Sequence, residues 1–348
     1  MYTLPQQDLA HVWEKTKDCL PSLHGSRFFI TGGTGFFGRW LLESILYANQ
    51  YFNADIRAVV LTRNPSDFLK NNPPMARAAC FEFLKGDVCD FTFPSGNFSH
   101  VIHAATEASA ALNQEQPLVM FDTITKGTRR VLEFAVQANV KNFLLTSSGA
   151  VYGRQPAQLT HVPETFCHAP DPLISSSAYG IGKLTAEHLC LLFYKQFGLP
   201  IKIARCFAFV GPYLPLDIHF AIGNFIAHAL KQEAIQISGD GSPFRSYLYM
   251  ADLTAWLWKI LCDGAAGQAY NVGSDDAVSI AELAHLIATE VQPKLPVNIA
   301  KSRDPNRHPE RYVPNIDKAK NELNLSQWIS LPEAIRRTIT WNQSYAKS

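Results

Sequence analysis

No sign of charge prevails in this 348-residue chain: 31 Lys and Arg stand against 30 Asp and Glu, a formal net charge of +1. The basic residues are spread along the sequence, so it lacks the stripe of positive charge that follows a phosphate backbone, and nucleic acid is not an expected partner. No apolar run approaches the roughly 18 to 20 residues needed to cross a bilayer, which argues against membrane insertion. The first residues, MYTLPQQDLAHVWEK, have neither the charged start nor the apolar centre of a secretory signal, and a cytoplasmic protein is expected. The seven cysteines (Cys19, Cys80, Cys89, Cys167, Cys190, Cys206, Cys262) are odd in number and include no C-x-x-C pair, so reduced, mostly buried thiols are expected. Among the histidines, His100 and His103 flank a buried strand and His161 and His168 fall in a polar loop. With no third ligand at a telling spacing, no metal site is expected.

What the chain does have is alternation. RFFIT, IRAVVLT, FEFLKGDV, HVIHAA, NFLLTSS and IKIARCF read as buried strands, and between them RWLLESILYANQ, TKGTRRVLEFAVQAN and SAYGIGKLTAEHLCLLFYKQFG carry apolar residues at helical spacing. Strand–helix alternation of this kind argues for an α/β fold, a Rossmann-type doubly wound parallel sheet with helices on both faces. After about residue 205 the alternation stops, AYNVGS reads as a strand returning to the sheet, and Ser279 stands where it can cap the helix that follows. The expected organisation is an N-terminal helical extension at 1–24, a dinucleotide-binding domain at 25–205 rejoined by about 246–273, and a smaller C-terminal substrate-binding lobe from 206–245 and 274–348.

In FFITGGTGFFGRWLLESIL four glycines, Gly32, Gly33, Gly35 and Gly38, fall within seven residues between a strand and a helix. In that setting glycine allows a tight turn, lets backbone N–H groups approach a pyrophosphate, and lets the helix pack closely on the strand. The loop, with Phe36 and Phe37 beside its last glycine, is therefore read as a cofactor cradle for NAD or NADP. Past the next strand, where an acid would bind the ribose 2′-hydroxyl of NAD, the chain reads Thr62-Arg63-Asn64; Arg63 can pair with a 2′-phosphate, which tilts the choice modestly toward NADP. An exposed loop arginine is the ordinary alternative. Asp87, followed by Val88, is read either as an adenine contact or as a solvated turn residue.

The strand NFLLTSS ends in Ser147 and Ser148, and downstream Tyr179 and Lys183 stand four apart on a helix, which places phenol and ammonium on one face. A tyrosine loses its proton near pH 10, and an adjacent cation favours the phenolate. Lys183 is read as that cation and as a holder of the nicotinamide ribose. Ser148 is read as a hydrogen-bonding partner of the substrate oxygen, and Tyr179 as the group that moves the proton while hydride passes to or from the nicotinamide.

Taken together, TGGTGFFG, GDV, HAA (His103 to Ala105), SSGAVYG, YGIGK, GDGSPFRSYLYMADL and YNVGS resemble the extended short-chain dehydrogenases/reductases, in particular the nucleotide-sugar epimerase/dehydratase group. The resemblance implies that Ser148, Tyr179 and Lys183 are catalytic, that Gly32, Gly35, Gly38, Asp87, Ala104 and Ala105 line the cofactor, and that Arg245 holds the diphosphate of a nucleotide sugar. It also implies a homodimer through helices around 117–138 and 179–197. Two departures stand out. The group's 4,6-dehydratases carry an Asp-Glu pair where this chain has Gly149 and Ala150, and many relatives carry an asparagine at the place of Ala208. Glu107 is a candidate to face the sugar, although a helix-cap role is the favoured reading for it, and Asn224 is a candidate to replace the missing asparagine or, equally, to cap the next helix. The expected activity is an NAD(P)-dependent nucleotide-sugar 4-epimerase acting through a transient 4-keto intermediate. The alternative is an NADPH-dependent 4-keto-sugar reductase; a 4,6-dehydratase or a dinucleotide-binding sensor without catalysis ranks below both.

Overall fold

A computed structural model describes residues 3–106, 110–216, 220–306 and 308–345. The apolar runs become the strands β1 (Arg27–Thr31), β2 (Arg57–Thr62), β3 (Phe81–Lys85), β4 (His100–His103), β5 (Asn142–Ser148) and β6 (Ile201–Cys206). They pair in parallel in the order β6-β5-β4-β1-β2-β3, and a seventh strand, Gln268–Val272, lies outside β6. The chain reverses its direction of winding between β1 and β4, which is where an open α/β sheet leaves a crevice at its carboxyl edge.

Burial follows strand position. β4 is buried along its whole length, whereas β3, at the sheet's edge, is buried at none of its five residues. FEFLK is therefore an edge strand rather than the buried one its composition suggested. Phe29 of β1 anchors an aromatic cluster with Phe91, Phe98 and Phe134, and each such ring is worth about 1.5–3 kcal/mol when fully buried. The helix Pro117–Gln137, opened by proline in its first turn, brings Phe134 into that cluster and lies along the helix Ala178–Phe197. The two approach closely where a Cβ on Gly182 would meet Ile124 at 3.1 Å.

The chain divides into two compact units. The first comprises Met1–Gly153, His168–Cys206 and Thr254–Tyr270; the second comprises Arg154–Cys167, Phe207–Leu253 and Asn271–Ser348. These boundaries differ from the sequence reading in several places, with residues 246–253 and 271–273 among those that go with the second unit rather than the first. Residues 154–167 go with the second unit, and the amino-terminal segment is an integral part of the first. Its helix Gln6–Thr16 buries Leu9, Val12 and Trp13. Trp13 stacks on Trp258 at 5.6 Å and donates to the Ser44 carbonyl at 2.8 Å, while the backbone N–H groups of Thr3 and Leu4 both donate to Glu43.

Within the second unit, Phe244–Arg245 pairs with Val278–Ser279 and with Arg311–Tyr312 in a three-stranded sheet. Ser279 and Glu282 form a reciprocal capping box at the start of the helix Ile280–Thr289, satisfying two of the donors that a helix end leaves orphaned. The thiols are less buried than expected: Cys19, Cys190 and Cys206 are enclosed, Cys80, Cys89 and Cys262 partly so, and Cys167 is exposed.

Candidate functional site

The glycine loop divides its four glycines by task. Gly32 adopts φ +72°, and a Cβ there would lie 2.4 Å from the Ala104 carbonyl oxygen; on Gly38 it would lie 2.3 Å from Gly32 and Gly33 backbone, and on Gly33 2.6 Å from Val60. Those three are demanded by the protein's own packing at the turn, which is followed by the helix Phe36–Phe52. Gly35 is different. It is exposed, and the nearest atom to its Cβ would be the Gly32 oxygen at 3.4 Å. A bare backbone with open space before a helix N-terminus is the geometry that accepts a pyrophosphate, and the donor set fits a dinucleotide.

Phe36 and Phe37 open that helix with their rings 5.9 Å apart. Thr62 ends β2, its hydroxyl 3.4 Å from that of Thr34. Arg63 follows on the surface, and Asp87 is also exposed, its carboxylate accepting from the Cys89 N–H at 2.9 Å. Val88 is buried; a Cβ on Gly127 would meet it at 2.8 Å, so it is a packing residue of the helix Pro117–Gln137.

The polar residues at the ends of β4 and β5 converge on Lys183. Only 3% exposed, its ammonium donates to Thr106 Oγ1 at 2.7 Å and to the Thr146 carbonyl at 2.8 Å. Burial pushes this lysine down to about 8, against the opposing pull of Cys206, Glu187 and Cys190. Tyr179 lies one turn earlier on the same helix, with its backbone N–H held by Asn113 at 3.0 Å; Asn113 also donates to the Ser176 carbonyl at 2.7 Å. Ser148 accepts from the Ala150 N–H at 3.1 Å, which frees its own proton for the bond it shares with the Tyr179 phenol.

One electrostatic expectation is corrected here. The phenol is pushed up, not down, because its burial outweighs the Ser148 hydrogen bond. In this state the ammonium is turned to Thr106 and Thr146.

One turn beyond Lys183, Glu187 forms a bidentate pair with Arg205 of β6, with contacts of 2.7 to 3.1 Å, and accepts the Ser147 hydroxyl at 2.5 Å. Arg205 in turn donates to the Tyr152 hydroxyl at 2.8 Å. One buried carboxylate thus fastens the end of β5, the turn Gly149–Tyr152 and the helix bearing Tyr179 and Lys183.

Two candidates belong to the second unit. Arg245 is half-buried, with one guanidinium nitrogen donating to the Phe244 carbonyl at 2.8 Å. Asn224 lies inside the first turn of the helix Ala221–Leu230, whose cap position is Phe220, so it is not the capping residue. Glu107 lies outside the described residues. Among those described, no cluster of His, Cys, Asp or Glu is arranged to hold a metal, and no helix is long and apolar enough to cross a membrane.

Sequence reasoning singled out Ser148, Tyr179 and Lys183 but missed Thr106, Thr146, Asn113 and the Glu187–Arg205 pair. Glu187 continues the four-residue spacing of Tyr179 and Lys183, a signal that was available; the threonines carried none.

A doubly wound sheet with a glycine cradle at its switch point and a Ser-Tyr-Lys cluster beside it defines a dinucleotide-dependent enzyme of the extended short-chain dehydrogenase/reductase kind. The chain belongs to the NAD dependent epimerase/dehydratase family, whose model matches residues 28–273. It is 29% identical over 325 residues to UDP-glucuronic acid decarboxylase 6 of Arabidopsis thaliana, covering 91% of each chain. It is 26% identical over 346 residues to dTDP-glucose 4,6-dehydratase of Escherichia coli, covering 90% of this chain and 92% of that one. Similar solved structures include UDP-glucose 4-epimerase of Thermotoga maritima with UDP-glucose, at a TM-score of 0.78 and 23% identity over 92% of this chain and 99% of that one. Another is UDP-glucuronic acid 4-epimerase of Bacillus cereus with UDP-glucuronic acid and NAD, at a TM-score of 0.76 and 23% identity over the same shares. At these identities the solved structures speak to the fold alone.

Proposed function

We propose that this enzyme oxidises and re-reduces the C4 hydroxyl carbon of a nucleotide-diphosphate sugar, and that its net reaction is 4-epimerisation. The observation that carries the reading is the Ser148–Tyr179–Lys183 cluster beside the glycine cradle, with Gly149 and Ala150 in the adjoining turn. That set can hold an alcohol oxygen and move its proton, but the turn offers no carboxylate with which to eliminate water across C5 and C6. The bound nicotinamide would supply the hydride acceptor. In this reading Ser148 fixes the sugar oxygen, Tyr179 exchanges the proton, Lys183 holds the ribose, and Arg245 meets the diphosphate with a guanidinium suited to bridging its oxygens. Gly35, Phe36, Phe37, Asp87, Ala104 and Ala105 would line the cofactor.

Arg63, exposed where an acid would bind the 2′-hydroxyl of NAD, favours the second reading, an NADPH-dependent reductase of 4-keto sugars. The two differ in what the purified protein carries. An epimerase must keep its cofactor through each cycle, so denaturing protein purified without added dinucleotide and analysing the supernatant by mass spectrometry should release NAD near one per chain. An empty protein that binds NADPH more tightly than NADH would replace the epimerase with the reductase. A substrate screen with UDP-glucose and UDP-glucuronic acid follows; a C4 ketone lies β to a C6 carboxylate, so release of carbon dioxide from the uronic acid would redirect the reading to decarboxylation.

The homodimer is part of the same proposal. Leu118 is 79% exposed, and Val119, Leu191, Leu192 and Phe197 on the same two helices are also exposed, an apolar surface that favours association. Light scattering should return about twice the 38.7 kDa of one chain; a monomeric mass at micromolar concentration would remove this part.

A further inference from the structure

The seven cysteines are scattered through the sequence, yet the fold brings two of them together within the first unit. Cys19 ends the short turn Lys17–Cys19 of the amino-terminal segment, and Cys262 stands in the last turn of the helix Met250–Asp263. Their thiols share a hydrogen bond. Cys19 Sγ also lies 3.9 Å from the carbonyl oxygen of Trp258, one turn before Cys262. Ser22 Oγ spans the same gap, 2.8 Å from the Cys19 carbonyl oxygen and 3.7 Å from Cys262 Sγ. Lys259 fixes the junction a second time, because it pairs with Asp18, the residue before Cys19, and at 2.6 Å with Asp263, the residue after Cys262.

The two thiols differ in access and in charge. Cys19 is 1% exposed, whereas Cys262 is half-buried. The hydrogen bond from Cys19 holds the Cys262 thiol below its ordinary range against the cost of its burial, helped by Ser22 and the Lys202 charge. The same bond, together with burial, pushes Cys19 up. A cysteine reacts as its thiolate, so Cys262 is the thiol that meets an oxidant and Cys19 the one that resolves the product. A Cβ on Gly264, just past Cys262, would meet the Lys202 side chain at 3.2 Å. Lys202 is the second residue of β6, so this end of the helix lies by the amino edge of the sheet, opposite the crevice.

We propose that Cys19 and Cys262 are a redox-closable pair: a hydroperoxide joins them in a disulfide that fastens the amino-terminal segment to the helix Met250–Asp263, and a small-molecule thiol reopens it. The Cys262 thiolate attacks one oxygen of hydrogen peroxide, the O–O bond breaks, and hydroxide leaves to take up the proton that Cys262 had shed. The Cys19 sulfur then attacks the resulting sulfenic acid; the S–S bond forms, the S–O bond breaks, and the hydroxyl departs with the Cys19 proton as water. The two thiols give up two electrons and the peroxide takes them. No step uses the crevice or the sugar, so the pair stands whether or not the proposed reaction does.

The test treats the reduced full-length chain with hydrogen peroxide in slight excess, digests it without reductant, and maps the peptides by mass spectrometry. Peptides joined through Cys19 and Cys262 should account for most of the protein, and dithiothreitol should part them. Cys262→Ser should leave Cys19 reduced, because burial denies it the oxidant. Cys19→Ser should halt at a Cys262 sulfenic acid that dimedone traps. Cys167→Ser, which removes the exposed thiol, should cross-link as wild type does. The closed form should unfold about 5 °C above the reduced one, as expected of a bond that restrains the unfolded chain, and Cys19→Ser should show no such difference. Wild-type protein in which Cys262 collects oxygen without a cross-link overturns the proposal, as does one in which both thiols stay reduced while Cys167 is oxidised. A closed form that melts no higher overturns it too, since the bond would then fasten nothing. If Cys19→Ser fails to fold, the wild-type map and Cys262→Ser still decide.

Discussion

Tyr179→Phe should lower turnover by about 10² to 10⁴-fold while the purified protein keeps its dinucleotide. Removing a positioned acid–base group costs catalysis that much, and the substitution leaves the glycine cradle and Lys183 untouched. The ring volume is conserved, and the partner of the hydroxyl is the Ser148 side chain, so the fold has little reason to change. The measurement is steady-state turnover of the best nucleotide sugar from the screen, with cofactor content determined on the same sample. A variant of unchanged rate would place the proton transfer elsewhere and leave a protein that binds a dinucleotide for another purpose.

Arg205→Met should cost about 3 to 5 kcal/mol of stability, the range seen when one partner of a buried ion pair is removed. The pair is enclosed, with the side chains of Arg205 and Glu187 only 15% and 7% exposed. Without the guanidinium, Glu187 retains the Ser147 hydroxyl as a donor but loses the cation bonded directly to it, leaving Lys183, one turn away, as the nearby positive charge. Urea unfolding monitored by circular dichroism should show the loss as a lower midpoint at an unchanged slope. Glu187→Met together with Arg205→Met should recover much of it, because two apolar chains then replace two charges. A single variant as stable as wild type would mean that the pair is solvated in solution, and that the turn after Ser148 is held by other contacts.

Much of this fold was legible because a buried parallel sheet writes itself as apolar runs, and six of those runs became neighbouring strands. The exception, FEFLK, shows the limit: composition says that a segment is a strand, but whether it is central or at an edge depends on what pairs beside it. The glycine loop was legible as a group, yet only coordinates separate Gly35, which faces open space, from Gly32, Gly33 and Gly38, which the protein itself requires. At the site, Tyr179 and Lys183 were readable from helical spacing. Thr106 and Thr146 were not, because a threonine at a strand end looks the same whether its hydroxyl closes a network or meets water. The direction of the Tyr179 shift was misjudged for a related reason. Spacing put a cation on the same helix face, but it could not say that the ammonium would turn toward Thr106 and Thr146.

The amino-terminal helix has a practical meaning for anyone trimming the chain. A boundary placed just before Phe28, where the family match begins, would cut away Trp13 and leave the indole of Trp258 without its stacking partner. It would also strip Glu43, 1% exposed, of the two N–H groups of Thr3 and Leu4 that satisfy its carboxylate. The unit that can be expressed alone is therefore longer than residues 28–273, the stretch that the family model matches.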